Sequence, residues 1–345
     1  MNDPFPRVGI VFNAYEPRSV NTGERLSEES VADMANQVHE AVKVLGYDAT
    51  LIPLQRSLMN FLGRVKELNL DVLVNLCEGF YGRPQWESNV AAVFELLGMS
   101  FTGNNSRTLA FCQDKYRAKA ILAAHGLPTA PSQLVTSADQ PLELRLPVIV
   151  KPNSEDASLG IYPESVVRDA AGFGVQVRRI LEKYNQPALV EAFIDGREFN
   201  VSVYENTAPE ALQVSELDFT ALPPSSPRIC SYEAKWFEDH VLYNATPPIC
   251  PAPIDDALRT KLQEAAVGAF KAMGCRDYAR VDFRMDGKGR LFILEVNPNP
   301  DISLNAGFAR ALKAANVPYE IFWKIMLGNA RKRKEAHDTP DVSVR

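Results

Sequence analysis

The sequence predicts a mixed α/β protein of two or three domains that opens with a small doubly wound parallel sheet. Three observations lead there. At 345 residues the chain is too long for one ordinary core. Roughly its first 105 residues alternate short apolar strands with helix-period segments, in the order β-α-β-α-β-α. Far downstream, Arg280 to Pro300 reads as two alternating strands around Asp286-Gly-Lys-Gly289, a turn supplied with glycines, so an α+β part follows the α/β part.

In order, Arg7-Val-Gly-Ile-Val-Phe12 is the first strand, and a long polar loop runs from Asn13 to Glu29. From Ser30 the residues Val31, Met34, Val38, Val42 and Leu45 recur at helical spacing and Gly46 stops them. Thr50-Leu-Ile52 is a strand, Phe61, Leu62, Val65 and Leu68 mark a helix, Asp71 to Leu76 is the third strand, and a helix from Trp86 to Leu97 ends at Gly98. Ligands of such sheets sit beyond the carboxyl ends of the strands, here the Asn13–Glu29 loop and Cys77-Glu78-Gly-Phe-Tyr-Gly82. Neither carries G-x-G-x-x-G, so this domain reads as a platform for a small substrate.

A helix from Gln113 to Ala124 has Asp114 and Lys115 in its first turn. Pro147-Val-Ile-Val-Lys-Pro152 is a buried strand that delivers Lys151 at its carboxyl end, either as a functional group or as a snorkelling stem. The loop Asn153 to Gly160 could cover phosphates with backbone N–H groups and Ser158, or be a surface hairpin. Pro187 to Ile194 and Arg197 to Val203 read as a strand pair turned at Asp195-Gly196. Glu191 and Glu198 are then edge-strand charges or, functionally, parts of an adenine slot and a ribose acceptor. The stretch Phe219 to Pro253 is long, rich in Pro and Ser, and reads as a lid or an insertion. Helices at Asp255–Met273, Ala306–Ala315 and Tyr319–Ala330 follow, and Arg331-Lys-Arg-Lys334 begins a charged, frayed tail.

The late hairpin holds the densest chemistry. If it closes symmetrically about Gly287 and Lys288, Arg280 lies opposite Glu295 and Asp282 opposite Ile293. Alternation then puts Arg280, Asp282, Glu295 and Asn297 on one face, with Val281, Phe283, Leu294 and Val296 on the other. Two carboxylates so close need a proton, an arginine or a cation between them. Hard oxygen ligands suit Mg²⁺ better than zinc. An Arg280–Glu295 surface salt bridge with Asp282 solvated is the bland alternative.

Hydrophobic residues make up 46% and charged residues 23%, as in soluble globular proteins. A formal charge of −6 argues against a nucleic-acid groove formed by overall charge, while leaving room for a local phosphate pocket. No apolar run is long enough to span a bilayer, and Met1-Asn-Asp-Pro lacks the basic start of an export signal, so a cytoplasmic protein without membrane partners is expected. Cys77, Cys112, Cys230, Cys250 and Cys275 show no C-x-x-C spacing and read as thiols of a reducing compartment.

Taken together, the order of these signals resembles the ATP-grasp superfamily and, more narrowly, the D-alanine–D-alanine ligases. The similarity runs from the first strand to about Leu327, and rests on Asp114-Lys115, Ile149-Val-Lys-Pro152, Gly196-Arg-Glu-Phe199, Tyr232-Glu-Ala-Lys235, Arg280-Val-Asp282 and Glu295-Val-Asn297. It implies an N-terminal substrate domain over 1–105, then a two-lobed ATP-grasp fold with lobes at 106–205 and 206–330, a lid at about 219–253, and a disordered tail at 331–345. Lys115, Lys151 and Ser158 would hold the phosphates, with Glu191 and Ile194 at the adenine and Glu198 at the ribose. Asp282, Glu295 and Asn297 would coordinate two Mg²⁺, or Mn²⁺ in their place. Lys235 would reach the γ-phosphate and Arg280 would stabilise developing negative charge. A carboxylate would be activated as an acylphosphate and captured by an amine. A homodimer is compatible with the resemblance.

The chain departs from the family at its substrate pockets. The family's phosphate-loop serine and post-lysine tyrosine appear here as Ala157 and Trp236, and its N-terminal glutamate falls near Glu28 and Glu29 without a clean match. The T-S-P-G after E-x-N is Pro298-Asn-Pro-Asp301, and the later serine is Ala306. Asp301 would repel an anionic acceptor by about 1 kcal/mol at an effective dielectric near 20. Glu78, Trp236 and Asp301 are therefore substrate-pocket candidates. The expected activity is ATP-dependent joining of a small carboxylate to an amine other than two D-alanines. A D-alanine–D-alanine ligase with an altered pocket and a non-ligating nucleotide sensor are the alternatives.

Overall fold

In the computed structural model, which describes residues 6–14 and 25–338, three sheets are arranged along the chain. The first is parallel, in the order β2-β1-β3, with β1 (Arg7–Asn13), β2 (Asp48–Leu54) and β3 (Val72–Leu76). Helices α1 (Arg25–Val44), α2 (Leu58–Leu68) and α3 (Glu87–Leu96) cover it. All five residues of β3 are buried, as expected of a strand covered on both faces. Helix α1 begins at Arg25, five residues before Ser30, where the apolar repeat is first read. The side chains of Glu28 and Glu29, like residues 15–24 of the expected loop, lie outside the described residues.

The helix expected at Gln113–Ala124 is α5 (Lys115–Ala124), and an unexpected helix, α4 (Ser106–Gln113), runs directly before it. Each has its own cap: Asn105 accepts from the Thr108 backbone N–H at 2.9 Å and Asp114 from that of Arg117 at 3.1 Å. The second sheet is antiparallel, in the order β4-β7-β5-β6, from β4 (Ser132–Val135), β5 (Val148–Pro152), β6 (Val166–Val167) and β7 (Ala188–Ala192), backed by α6 (Ala170–Lys183).

The third sheet contains β8 (Gly196–Glu205), β9 (Pro209–Ala211), β10 (Ser215–Leu217), β11 (Pro248–Ile249), β12 (Tyr278–Asp286) and β13 (Leu291–Asn297). Thus β7 and β8 do not pair with each other, and the expected strand pair at Asp195-Gly196 is instead a crossing between two sheets. Gly196 permits it by close approach, since a Cβ there would lie 2.0 Å from the Met285 carbonyl oxygen. Between β10 and β11 the expected irregular stretch contains two short helices, α7 (Tyr232–Trp236) and α8 (Val241–Asn244). Helix α9 (Asp256–Ala272) packs Leu262, Ala266, Ala269 and Phe270 onto the third sheet.

Helices α10 (Gly307–Ala314) and α11 (Tyr319–Asp338) return to the first domain, where Phe322, Trp323 and Met326 share a core with Val31, Val38 and Val42 of α1. Full burial of each such side chain contributes about 2 kcal/mol. The expected frayed tail is helical as far as Asp338. The reason is Arg333, whose guanidinium donates to both oxygens of fully buried Asp277 at 2.7 and 2.8 Å and to the Phe101 carbonyl at 2.9 Å. Gly103 N–H adds a bond to Asp277 at 2.7 Å. Beside it, Asn104 donates to the Tyr278 and Pro298 carbonyls at 2.8 and 2.6 Å and accepts from Arg276 N–H at 2.8 Å. Both ends of the late hairpin are so fastened to the first domain.

Candidate active site

Strands β12 and β13 bring Arg280, Asp282, Glu295 and Asn297 together on one face, as alternation predicts, but in a different register. Arg280 pairs with Asn297, Asp282 with Glu295, and Phe283 with Ile293, with a bulge between the last two pairs. The extra residue is Leu294, which lines the cleft, while Ile293 enters the core. The two carboxylates are consequently direct cross-strand neighbours. Arg280 donates to Asp282, two residues on, through Nε and Nη2 at 2.7 Å each, in place of the expected opposition to Glu295. Asn200 of β8 donates to Asp282 at 2.7 Å.

Burial alone would raise the Glu295 carboxyl. The positive charges of Lys115, Lys151 and Arg280, with a bond from Asn297, outweigh it and hold the group at about 2. Burial would likewise lower Lys115, but Asp156 at 2.6 Å and Glu295 at 3.5 Å keep it well above its ordinary range. The Asn297 amide lies 2.9 Å from Asp282 and 3.3 Å from Glu295, within reach of both carboxylates. Turned so that its oxygen faces inward, it completes a set of three hard oxygen ligands, which fits a divalent cation. No group of three or more His, Cys, Asp or Glu side chains able to hold a metal occurs among the described residues, so this mixed set is the candidate.

Glu295, Lys151 and the lid share one cleft of about 1570 Å³. Lys151, at the end of β5, bonds Glu191 of β7 at 2.5 Å, and Lys119 of α5 grips the other oxygen of Glu191. Burial opposes the charge on Glu191, but the two lysines hold it below the usual carboxylate range. The Glu191 carboxylate thus faces two ammonium groups. Glu198 pairs with Arg284 at 2.8 Å, while burial keeps its carboxyl above the ordinary range. Ile194 lines the same cleft.

The loop after β5 is held by Asn153, whose side chain donates to Asp114 at 2.9 Å and accepts from Tyr116 N–H at 3.0 Å. Ala157 and Ser158 both adopt left-handed φ, 55° and 60°. That conformation carries the Ala157 carbonyl to the lid, where it accepts from the Trp236 indole N–H at 2.9 Å. Ser158 donates to the Cys230 carbonyl at 3.0 Å, and Tyr232 N–H to the Ile161 carbonyl at 2.8 Å. Lid and loop are therefore joined by the Trp236 indole, the Ser158 hydroxyl and backbone groups. Lys235 lies 5.4 Å from the Trp236 ring centroid and lines the cleft.

At the far end stand Glu78, Glu87 and Asp301. Asp301 accepts from Ser303 through both N–H and Oγ, at 2.9 and 2.7 Å. Enclosure and the Asp301 carboxylate push Glu78 up to about 8, an effect damped by water at its exposed edge. Glu87 is buried, and desolvation with the Asp156 charge lifts it from 4.5 to about 8 despite a bond from Asn299 at 2.8 Å. Between these values the folded protein holds a proton that the unfolded chain has released. Stability from this group is therefore full below pH 4.5 and is lost as pH rises through 8. Melting temperatures at pH 6 and pH 9 should differ by a few degrees less in Glu87→Gln than in the parent; an unchanged difference would remove Glu87 as the cause.

A family model described as the D-ala D-ala ligase C-terminus matches residues 121–327. A D-alanine–D-alanine ligase of Pelotomaculum thermopropionicum is 30% identical over 313 residues, covering 86% of this chain and 91% of that protein. The chain belongs to the D-alanine–D-alanine ligase family. As a member it is an ATP-dependent ligase of carbon–nitrogen bonds on an ATP-grasp scaffold. The uncharacterized protein y4sG of Sinorhizobium fredii is 32% identical over 312 residues, 90% of this chain and 88% of that one. Solved ligase structures share the fold. That from Bacillus anthracis complexed with ATP has a TM-score of 0.73 at 18% identity over 96% of this chain and 99% of that one, and that from Coxiella burnetii 0.75 at 16% over 97% and 96%. No helix among the described residues is long and apolar enough to cross a membrane.

Several residues of this ligase site escaped the reading of its sequence. Lys119, Asp156, Arg284 and Asn200 each bond a singled-out side chain. Only Lys119 left a trace, four residues after Lys115 and so on the same face of one helix.

Proposed function

We propose that this ligase activates a small carboxylate with ATP as an acylphosphate and joins it to an amine, and that its substrates are not two D-alanines. The observation that carries the reading is the opposed Asp282–Glu295 pair with Asn297 between them and Lys115, Lys151 and Arg280 around it. Asp282, Glu295 and Asn297 would hold Mg²⁺, which would supply charge neutralisation and in-line orientation of the phosphates. Lys151 and Lys235 line the cleft, Lys115 stands behind Glu295 at 3.5 Å, and together they would take up negative charge that shifts during phosphoryl transfer. Arg280 steadies the oxyanion that forms when the amine nitrogen attacks the acyl carbon and phosphate leaves. The lid, bonded to the loop through Trp236, keeps water from the acylphosphate.

Two features support a changed substrate pair. The Trp236 indole N–H is already satisfied by Ala157, which leaves an aromatic face toward the cleft. Asp301 sets negative charge at the far end, where a neutral or cationic group is welcome and a carboxylate is not. The test is ADP release over pairs of carboxylates and amines, with mass analysis of the product. D-alanine alone giving full turnover would replace this reading by cell-wall dipeptide synthesis. No stimulation by any acceptor would replace it by a nucleotide sensor. Asp301→Gly should raise kcat/KM for acceptors with a free carboxylate about fivefold relative to amines without one; an unchanged ratio would clear Asp301 of that role.

A further inference from the structure

We propose that Lys119 is a positioning residue that keeps Lys151 electrically available to nucleotide phosphates, acting through Glu191. The inference rests on the reading that Lys151 faces those phosphates. Lys151 and Glu191 line the cleft, whereas Lys119 stands behind them and does not. Side-chain exposure is 3% for Lys119, 1% for Glu191 and 7% for Lys151. Three ionised groups in so dry a place interact far more strongly than at the surface.

Ion-paired as they stand they count two positive charges and one negative; burial and the Lys151 charge pull Lys119 below its ordinary range, and the Glu191 carboxylate opposes that pull. With Lys151 alone, Glu191 would form a closed neutral pair, and the lysine would offer little field to an incoming anion. With Lys119 on its other oxygen, Glu191 divides its charge between two ammonium groups, and a net positive charge remains at the cleft wall. Lys119 also points its ammonium at the Ile293 carbonyl, at 3.5 Å, beside the bulge that sets Glu295 opposite Asp282. Helix α5 therefore serves both sides of the cleft. Lys115 in its first turn reaches Glu295, and Lys119 one turn later reaches Glu191.

The test uses the full chain, with MgATP affinity read by calorimetry. Lys119→Met should weaken MgATP about tenfold, because Lys151 is then locked into its pair with Glu191. Glu191→Gln, which frees Lys151 but also alters a cleft-lining carboxylate, sets the baseline, and the Lys119→Met, Glu191→Gln double variant should bind MgATP within about threefold of it. The double variant leaves Lys151 alone without its carboxylate, one buried charge fewer than Glu191→Gln leaves, so these two carry the comparison even if Lys119→Met does not fold. Parent-like affinity in Lys119→Met, or a double variant about tenfold or more weaker than Glu191→Gln, would overturn the proposal. Lys151→Met binding MgATP like the parent would instead overturn the reading beneath it, and the proposal with it.

Discussion

An Asp282→Asn, Glu295→Gln variant is expected to lose at least about 10³-fold in ADP release. Both replacements keep shape and acceptor oxygens, so Arg280, Asn200 and Lys115 retain partners and the third sheet should stand. What disappears is charge. The floor of the cleft passes from a balanced set to one dominated by Lys115, Lys151 and Arg280. Such a floor still attracts phosphates, so nucleotide affinity alone does not decide the matter. Magnesium dependence does: ATP should bind the parent more tightly as Mg²⁺ is added, and the variant should be indifferent to it. Turnover within tenfold of the parent, or an unchanged response to Mg²⁺, would end the assignment of these residues.

Arg333→Met is expected to cost about 3 kcal/mol of stability in denaturant titration, the largest loss foreseen for a residue remote from the cleft. Asp277 is wholly buried in a left-handed backbone conformation with φ of 61°, and Arg333 supplies two of its bonds. Without the guanidinium the carboxylate keeps Gly103 N–H and little else among the bonds described. Asp277→Asn in the same background should recover much of the loss, since no buried charge is then left alone. Equal stability of the single and double variants would show that the ion pair matters less than the packing of the arginine stem.

How much of this was legible in the residues follows from the range of each interaction. The parallel sheet, the strand-end lysine and the acidic face of the hairpin declared themselves because period and local stops are written over a few neighbours. The hairpin's face was readable while its register was not, since one extra residue at Leu294 leaves the alternation on either side intact. The crossing at Gly196 looked like a hairpin because two strands and a tight turn carry the same local signature whether or not they pair. Asp277 and Arg333 stand 56 residues apart, and nothing near either announces the other. Lys119 sits on a helix face that must be buried, where a lysine argues against itself until its carboxylate is known.

The fastening of the hairpin by Asn104 also fixes a length. Asn104 grips the Tyr278 and Pro298 carbonyls side by side at the open end of the β12–β13 hairpin, and Asn299 donates to the Cys77 carbonyl at 3.0 Å, beside Glu78. Glu295 and Glu78 therefore belong to a single frame, and the interval between them is expected to hold when a ligand enters. Such an interval acts as a ruler. A joined product whose span differs from it has no compensating movement to call on, and chain length should screen substrates before any contact with their side groups does.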